Sequence, residues 1–252
     1  MLGRFLEFSV PAPDVLDSLS FYKSLGFHEL EVRDTWPHKY AVVSDGDICI
    51  GLHESDGGEK PALTFVHGQL AKQARAMADR GFDFDLLRLD EDVFNEIEFS
   101  CGDGHRVRMV EARTFSKPDE DADSSLCGRF LEISLPVRDT MRAGRFWAPL
   151  APEVHRIREE PTTHMRFNAA GIPLGLSESI ALPGPGLCFR CEDREAVWIG
   201  LARHGLAHSE FPGFEGAFMA LDAPEGTRLY IFDEDFLGEL YEVEESDEAP
   251  AG

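Results

Sequence analysis

Gly3-Arg4-Phe5-Leu6-Glu7 returns in the second half of the chain as Gly128-Arg129-Phe130-Leu131-Glu132. Outward from these two pentapeptides the order of events also matches. Ser9 answers to Ser134, Pro11 to Pro136, Asp14 to Asp139, Phe21-Tyr22 to Phe146-Trp147, His38 to His164, Gly51-Leu52 to Gly175-Leu176 and Glu54-Ser55 to Glu178-Ser179. A repeat about half the chain long implies a duplicated folding unit. Each candidate site residue can therefore be compared with its counterpart.

Each half divides again. Residues 3–11 alternate apolar and polar in the manner of a strand. Asp14 is placed to cap a helix with Val15, Leu16, Leu19 and Tyr22 on one stripe, and Gly26 stops it. Extended runs at 27–32, 39–43 and 48–53 complete the order strand, helix, strand, strand, strand. The same order recurs from Ala62, with helical Leu70, Ala74 and Met77, a break at Gly81, and strands near 82–89, 93–100 and 106–111. A third unit spans 129–179 and a fourth 187–233. The expected organisation is a first domain at 1–115, a linker at 116–127, a second domain at 128–240 and a disordered acidic tail at 241–252.

Composition limits the partners. The chain has 252 residues, 43% of them hydrophobic, which suits a globular core. Its 47 acidic residues against 24 basic ones give a formal charge of -23, so nucleic acid and anionic membranes are excluded as expected partners. A small-molecule ligand, and a monomer or homodimer, are expected instead. Only Lys23, Lys39, Lys60, Lys72 and Lys117 are lysines, and the acid-rich, Lys-poor balance reads as adaptation to the medium. No apolar run approaches the roughly 20 residues of a membrane span, and the start of the chain lacks the apolar stretch of a secretory leader. The expected location is the cytoplasm. Cys49, Cys101, Cys127, Cys188 and Cys191 are odd in number and scattered, which predicts reduced thiols. Cys188 and Cys191 have CxxC spacing, but on a strand they face opposite sides.

Four such modules, with Asp14-x6-Phe21-Tyr22-x3-Gly26-Phe27, resemble the vicinal oxygen chelate superfamily: glyoxalases, extradiol dioxygenases, fosfomycin-modifying enzymes and bleomycin-binding proteins. The resemblance implies an α+β fold of four βαβββ modules in two tandem glyoxalase-like domains, whose curved mixed sheets form cups. It also implies metal-ligand positions on the first and last strands. These fall on Glu7, Gly51, Ala62 and Arg108 in one cup, and on Glu132, Gly175, Gly186 and Tyr230 in the other. A divalent ion needs about three or four donors at fixed distances, and one carboxylate facing glycines and an arginine does not supply them. Pairing module one with four, and two with three, does no better. The expectation is therefore no metal and no other cofactor.

Strand alternation predicts that Phe5, Glu7 and Ser9 share one face, as do Phe130, Glu132 and Ser134. Arg106 accompanies Arg108, Arg228 accompanies Tyr230, and His53 shares the face of Gly51. An arginine on an expected neighbouring strand would offset each buried carboxylate. The catalytic candidates are Glu7 and Glu132 as bases and His164 as an acid or base. The ligand-binding candidates are Arg106, Arg108, Arg228, Tyr230, His53, Phe5 and Phe130. Two readings stay open: the Glu and Arg side chains receive a ligand, or they plug a former metal cavity. Three functions follow. The first is a metal-independent binder of a small organic molecule. The second is an enzyme of lyase, epimerase or dioxygenase type using Glu7 or Glu132 as base or metal ligand, although a two-His, one-carboxylate set is absent. The third is an interaction protein with filled cups. His53 against Ser177, and Arg108 against Tyr230, mark where the halves diverge.

Overall fold

The computed structural model describes residues 1–31, 38–90, 95–112, 125–151, 154–159, 162–179, 182–210 and 218–234. In the first half these form β1 (Arg4–Ala12), α1 (Val15–Ser24), β2 (His28–Leu30), β3 (Tyr40–Ser44), β4 (Cys49–Glu54), β5 (Ala62–Val66), α2 (Leu70–Ala78), β6 (Leu86–Arg88), β7 (Glu96–Ser100) and β8 (Arg106–Val110). In the second they form β9 (Arg129–Pro136), α3 (Thr140–Trp147), β10 (Val154–Arg158), β11 (His164–Ala169), β12 (Ile172–Ser177), β13 (Gly186–Cys191), α4 (Arg194–Arg203), β14 (Phe218–Asp222) and β15 (Arg228–Asp233). Three helices begin on an aspartate whose side chain accepts orphan backbone N–H groups: Asp14 from Leu16 and Asp17, Asp139 from Arg142, and Asp193 from Ala196. The fourth, α2, starts at Gln69 with no side-chain cap.

The strands make two mixed sheets, ordered β2-β3-β4-β1-β5-β8-β7-β6 and β10-β11-β12-β9-β13-β15-β14. Each module pairs its first strand with its last in parallel, and the first strands of consecutive modules pair antiparallel, β1 with β5 and β9 with β13. Consecutive modules thus share a sheet, which rules out the arrangement of one with four. Several strands are shorter than the alternation suggested. The run 27–32 holds a strand only at β2, with Val32 outside the described residues, and 82–89 holds only β6. Residues 116–124 of the expected linker and the whole expected tail at 241–252 also lie outside. The linker's end is packed: Leu126 N–H donates to the Leu25 carbonyl at 2.7 Å, and Ser125 and Cys127 are buried. All five cysteines are free thiols.

One face of each sheet builds the core. Phe8, Val10, Ile50, Leu52, Leu63 and Val107 are almost wholly buried, as are Ile133, Leu135, Leu174, Leu176, Leu187 and Leu229. All belong to one apolar cluster that also holds Tyr22, Met77, Trp147 and Leu201 from the four helices. Phe27 meets Phe189 at 6.3 Å and Phe82 meets Phe146 at 5.7 Å between ring centres, so the halves share this core.

The pentapeptide repeat has a structural cause. Gly3 and Gly128 take positive φ of 86° and 85°. A Cβ there would lie 2.0 Å from the Val66 carbonyl oxygen, or 2.2 Å from that of Arg190. Only glycine lets the strand enter so close to its neighbour. A β-bulge follows at the same place in both halves, between Phe5 and Glu7 and opposite Cys188/Phe189. The extra residue, Leu6 or Leu131, reverses the alternation. This corrects the expected shared face. Phe5 pairs with Phe65 and Phe130 with Phe189, their rings edge to face at 5.6 Å in both cases, on the core side. Glu7 and Glu132 stand on the opposite, cup side.

Candidate functional site

The cup face of the first sheet centres on Glu7, which is 1% exposed. Its carboxylate lies across Gly51 of β4, where a Cβ would meet both oxygens at 2.2–2.3 Å. Oε1 accepts from the Ser9 hydroxyl at 2.6 Å and from His53 Nε2 at 2.7 Å, and Oε2 accepts from the Tyr40 hydroxyl. Ser9 has spent its one proton, so Thr64 donates to Ser9 Oγ at 2.7 Å. Beyond it, His53 Nδ1 lies 2.9 Å from His38 Nε2. Burial works to raise the Glu7 carboxyl's pKa. The bonds and charge of His53, with the hydroxyls of Ser9 and Tyr40, outweigh that and hold it below the ordinary value. Burial, then the charges of His53 and Arg108, push His38 down.

The arginines of this cup do not meet Glu7. β5 lies between β1 and β8, so the expected neighbouring-strand pairing is corrected. Arg108 bonds Glu98 at 2.6 Å and lies 3.1 Å from Glu96, while Arg106 bonds Glu98 at 2.6 Å and the Lys60 carbonyl at 3.0 Å. Burial raises Glu98's pKa and the two guanidiniums more than reverse it. The first cup is thus internally compensated, acid by base and donor by acceptor.

The second cup is built on the same frame with different residues. Registers through Gly51 and Gly175 place Tyr40 opposite His53 and His164 opposite Ser177. His164 therefore occupies the place of Tyr40, two residues from the His38 counterpart that the sequence suggested. It reaches its glutamate from β11, Nε2 to Glu132 Oε1 at 2.8 Å, whereas His53 reaches Glu7 from β4. A Cβ on Gly175 would lie 1.9 Å from Glu132 Oε1 and 2.6 Å from His164 Nε2. In the register of Val42 stands Arg166, its Nη2 bonded to the Leu131 carbonyl at 2.6 Å and its Nε 3.7 Å from Glu132 Oε2. That last distance is an ion pair without a hydrogen bond. Among the described residues, His164 Nδ1, Arg166 Nη1 and Glu132 Oε2 have no hydrogen-bond partner.

The opposite wall of this cup is apolar. Where the first has Thr64, Glu96, Glu98 and Arg108, the second has Cys188, Phe218, Ala220 and Tyr230, a buried cluster edged by Leu131, Leu182 and Phe232. Burial raises the Tyr230 hydroxyl to about 12 and the Cys188 thiol well above its usual range. Arg228 takes both oxygens of Asp222, at 2.6 and 3.1 Å.

The structure thus gathers Glu7 and His53 in one cup and Glu132 and His164 in the other. Arg106, Arg108 and Arg228 are turned onto acidic neighbours, Tyr230 is set in an apolar wall, and Phe5 and Phe130 lie in the core. Sequence reading missed Tyr40, Thr64, Glu96, Glu98 and Arg166. Alignment through Gly51 and Gly175 instead of through the histidines would have found Tyr40 and Arg166. Neither ligand set of the resemblance suits a divalent ion. Glycine replaces a donor because the glutamate needs its space, Arg108 brings a cation, and Tyr230 stays protonated. Among the described residues no three His, Cys, Asp or Glu side chains are grouped to hold a metal.

No protein-family model matches this sequence, and no curated protein does. Solved structures match over nearly its whole length. A catechol 2,3-dioxygenase superposes with TM-score 0.60 at 12% identity, covering 92% of this chain and 88% of the other. A 2,2',3-trihydroxybiphenyl 1,2-dioxygenase from Sphingomonas wittichii gives 0.57 at 12%, covering 92% and 91%. Homoprotocatechuate 2,3-dioxygenase from Arthrobacter globiformis gives 0.61 at 12%, covering 92% and 80%. The chain has the tandem fold of these extradiol dioxygenases of the vicinal oxygen chelate superfamily.

Proposed function

We propose that this protein binds a small organic molecule, without a metal, in its second cup beside Glu132, His164 and Arg166. The single observation that carries the reading is the contrast in hydrogen-bond saturation. Every polar group at Glu7 is answered by a neighbour, while among the described residues Glu132, His164 and Arg166 keep one atom each without a protein partner, on the side where Arg166 is about 31% exposed. These atoms stand at the border of the buried carboxylate and solvent, where a ligand or water completes their hydrogen bonds. The fixed Nη2 bond to Leu131 orients Arg166 before any ligand arrives, which lowers the cost of binding.

The test is a thermal-shift screen of small organic compounds, beginning with aromatic diols because the structurally similar dioxygenases include a catechol 2,3-dioxygenase. Elemental analysis of the purified protein accompanies it. Stabilisation lost in Glu132→Gln and kept in Glu7→Gln supports the second cup. Stoichiometric metal, or stabilisation lost only in the Glu7 variant, overturns the reading.

One observation favours a second reading, an acid–base enzyme of lyase or epimerase type. Glu132 holds Nε2 of His164 and leaves Nδ1 to exchange a proton, the arrangement of an oriented general base. Glu7 suits that role poorly, because its three donors keep it ionised and its lone pairs engaged.

A further inference from the structure

Resting on the binding site proposed above, we infer that its ligand is a small monocarboxylate with an apolar body, the carboxylate held by Arg166 and the body laid toward Leu131, Leu182 and Phe232. The charge of the site points to an anion. The chain as a whole repels anions, yet β10 and β11 bring Arg158 opposite His164 in register, two residues before Arg166. Arg158, His164 and Arg166 thus lie on the outer strands of the sheet whose inner strand supplies Glu132. The first cup has Val42 at the place of Arg166 and Tyr40 at the place of His164, so among the described residues this pair of basic-type side chains belongs to the second cup. Glu132 is already engaged by His164 and approached by Arg166, which leaves Arg166 Nη1 for an oxygen from outside. A carboxylate oxygen gives such an atom a charge-assisted hydrogen bond, about twice as strong as a neutral one.

The shape of the site points to the apolar body. Arg166 Nη2 sits on the carbonyl of Leu131, and the Leu131 side chain packs against the cluster of Cys188, Phe218, Ala220 and Tyr230. Anchor and wall are therefore contiguous. β9 and β15 stand two strand spacings, roughly 10 Å, apart across β13, so one ring or a short branched chain matches the reach of the partly buried Leu131, Leu182 and Phe232. A dianion such as phosphate would find the cation and waste the wall. A neutral aromatic would find the wall and leave Arg166 unanswered.

The test is calorimetric titration of the full chain with benzoate, phenylacetate, 3-phenylpropanoate and 2-methylpropanoate, each beside its primary amide, and with inorganic phosphate. At least one acid binds at least tenfold more tightly than its amide and than phosphate. Arg166→Gln removes that preference, Leu182→Ser weakens both members of a pair, and Lys39→Gln, which breaks only an exposed ion pair with Glu54 in the first half, changes neither. Circular dichroism confirms that each variant folds. An amide that binds as well as its acid, or a preference that survives Arg166→Gln, overturns the carboxylate assignment. If no acid binds but other compounds stabilise the protein through Glu132, the ligand class is wrong and the site stands. If nothing from the wider screen stabilises it, both readings fall.

Discussion

The two cups hold a glutamate over a glycine in the same register, and only one of them is finished. In the first, Ser9, Tyr40 and His53 close on Glu7, and Arg106 and Arg108 close on Glu98. In the second, His164 closes on Glu132, and Arg166 stands off at 3.7 Å. The lesson is that duplication kept the strut and released the decoration. What surrounds the glutamate decides whether the cup is a plug or a receptor.

The largest expected effect is on stability. Glu7→Ala leaves three donors without an acceptor, two of them on the buried Ser9 and His53, and should cost about 3–5 kcal/mol. Glu132→Ala, which strands one imidazole N–H beside solvent, should cost about 1–2 kcal/mol. Urea denaturation of both variants measures the difference, and equal costs would break the comparison. Gly51→Ala comes next. The new methyl must displace a carboxylate held by three donors, so about 2–3 kcal/mol is expected in the same assay. Tyr40→Phe removes a single donor and should cost about 1 kcal/mol. A null result there would show that Glu7 is less locked than its partners imply.

The smallest effects are on pH dependence. The Glu7 pKa is lowered in the fold, so its contribution is present above the unfolded value of about 4.5 and is lost as pH falls through the folded one. Glu7→Gln should flatten the acid limb of the stability curve. The His38 pKa is also lowered. Between its folded value and the unfolded value near 6.5 the unfolded chain binds more protons, so stability rises with pH across that window. His38→Gln should remove that slope, measured as the denaturation midpoint from pH 5 to pH 7.

Much of the fold was legible because it rests on local signals. Asp14 caps its helix as its position implies, its counterpart Asp139 does the same, and the paired pentapeptides announce the module. The face of Phe5 and Phe130 was not legible. Alternation is counted residue by residue, and one bulge inverts everything beyond it. The partner of His164 was missed for a related reason. Matching histidine to histidine ignored the glycine that fixes the register, and the true counterpart of His164 is a tyrosine.

What the sequence determined by itself was the repeated module, its α+β character, and the glutamate that each half places on its first strand. Those follow from propensities, caps and periodicity that act within a few residues. Only the tertiary structure decided which modules share a sheet, which side chains face each glutamate, and which of them stay unanswered. Hydrogen bonding is settled by distances of a few tenths of an ångström between strands far apart in the chain. No pattern along the chain records whether a given oxygen has already been claimed.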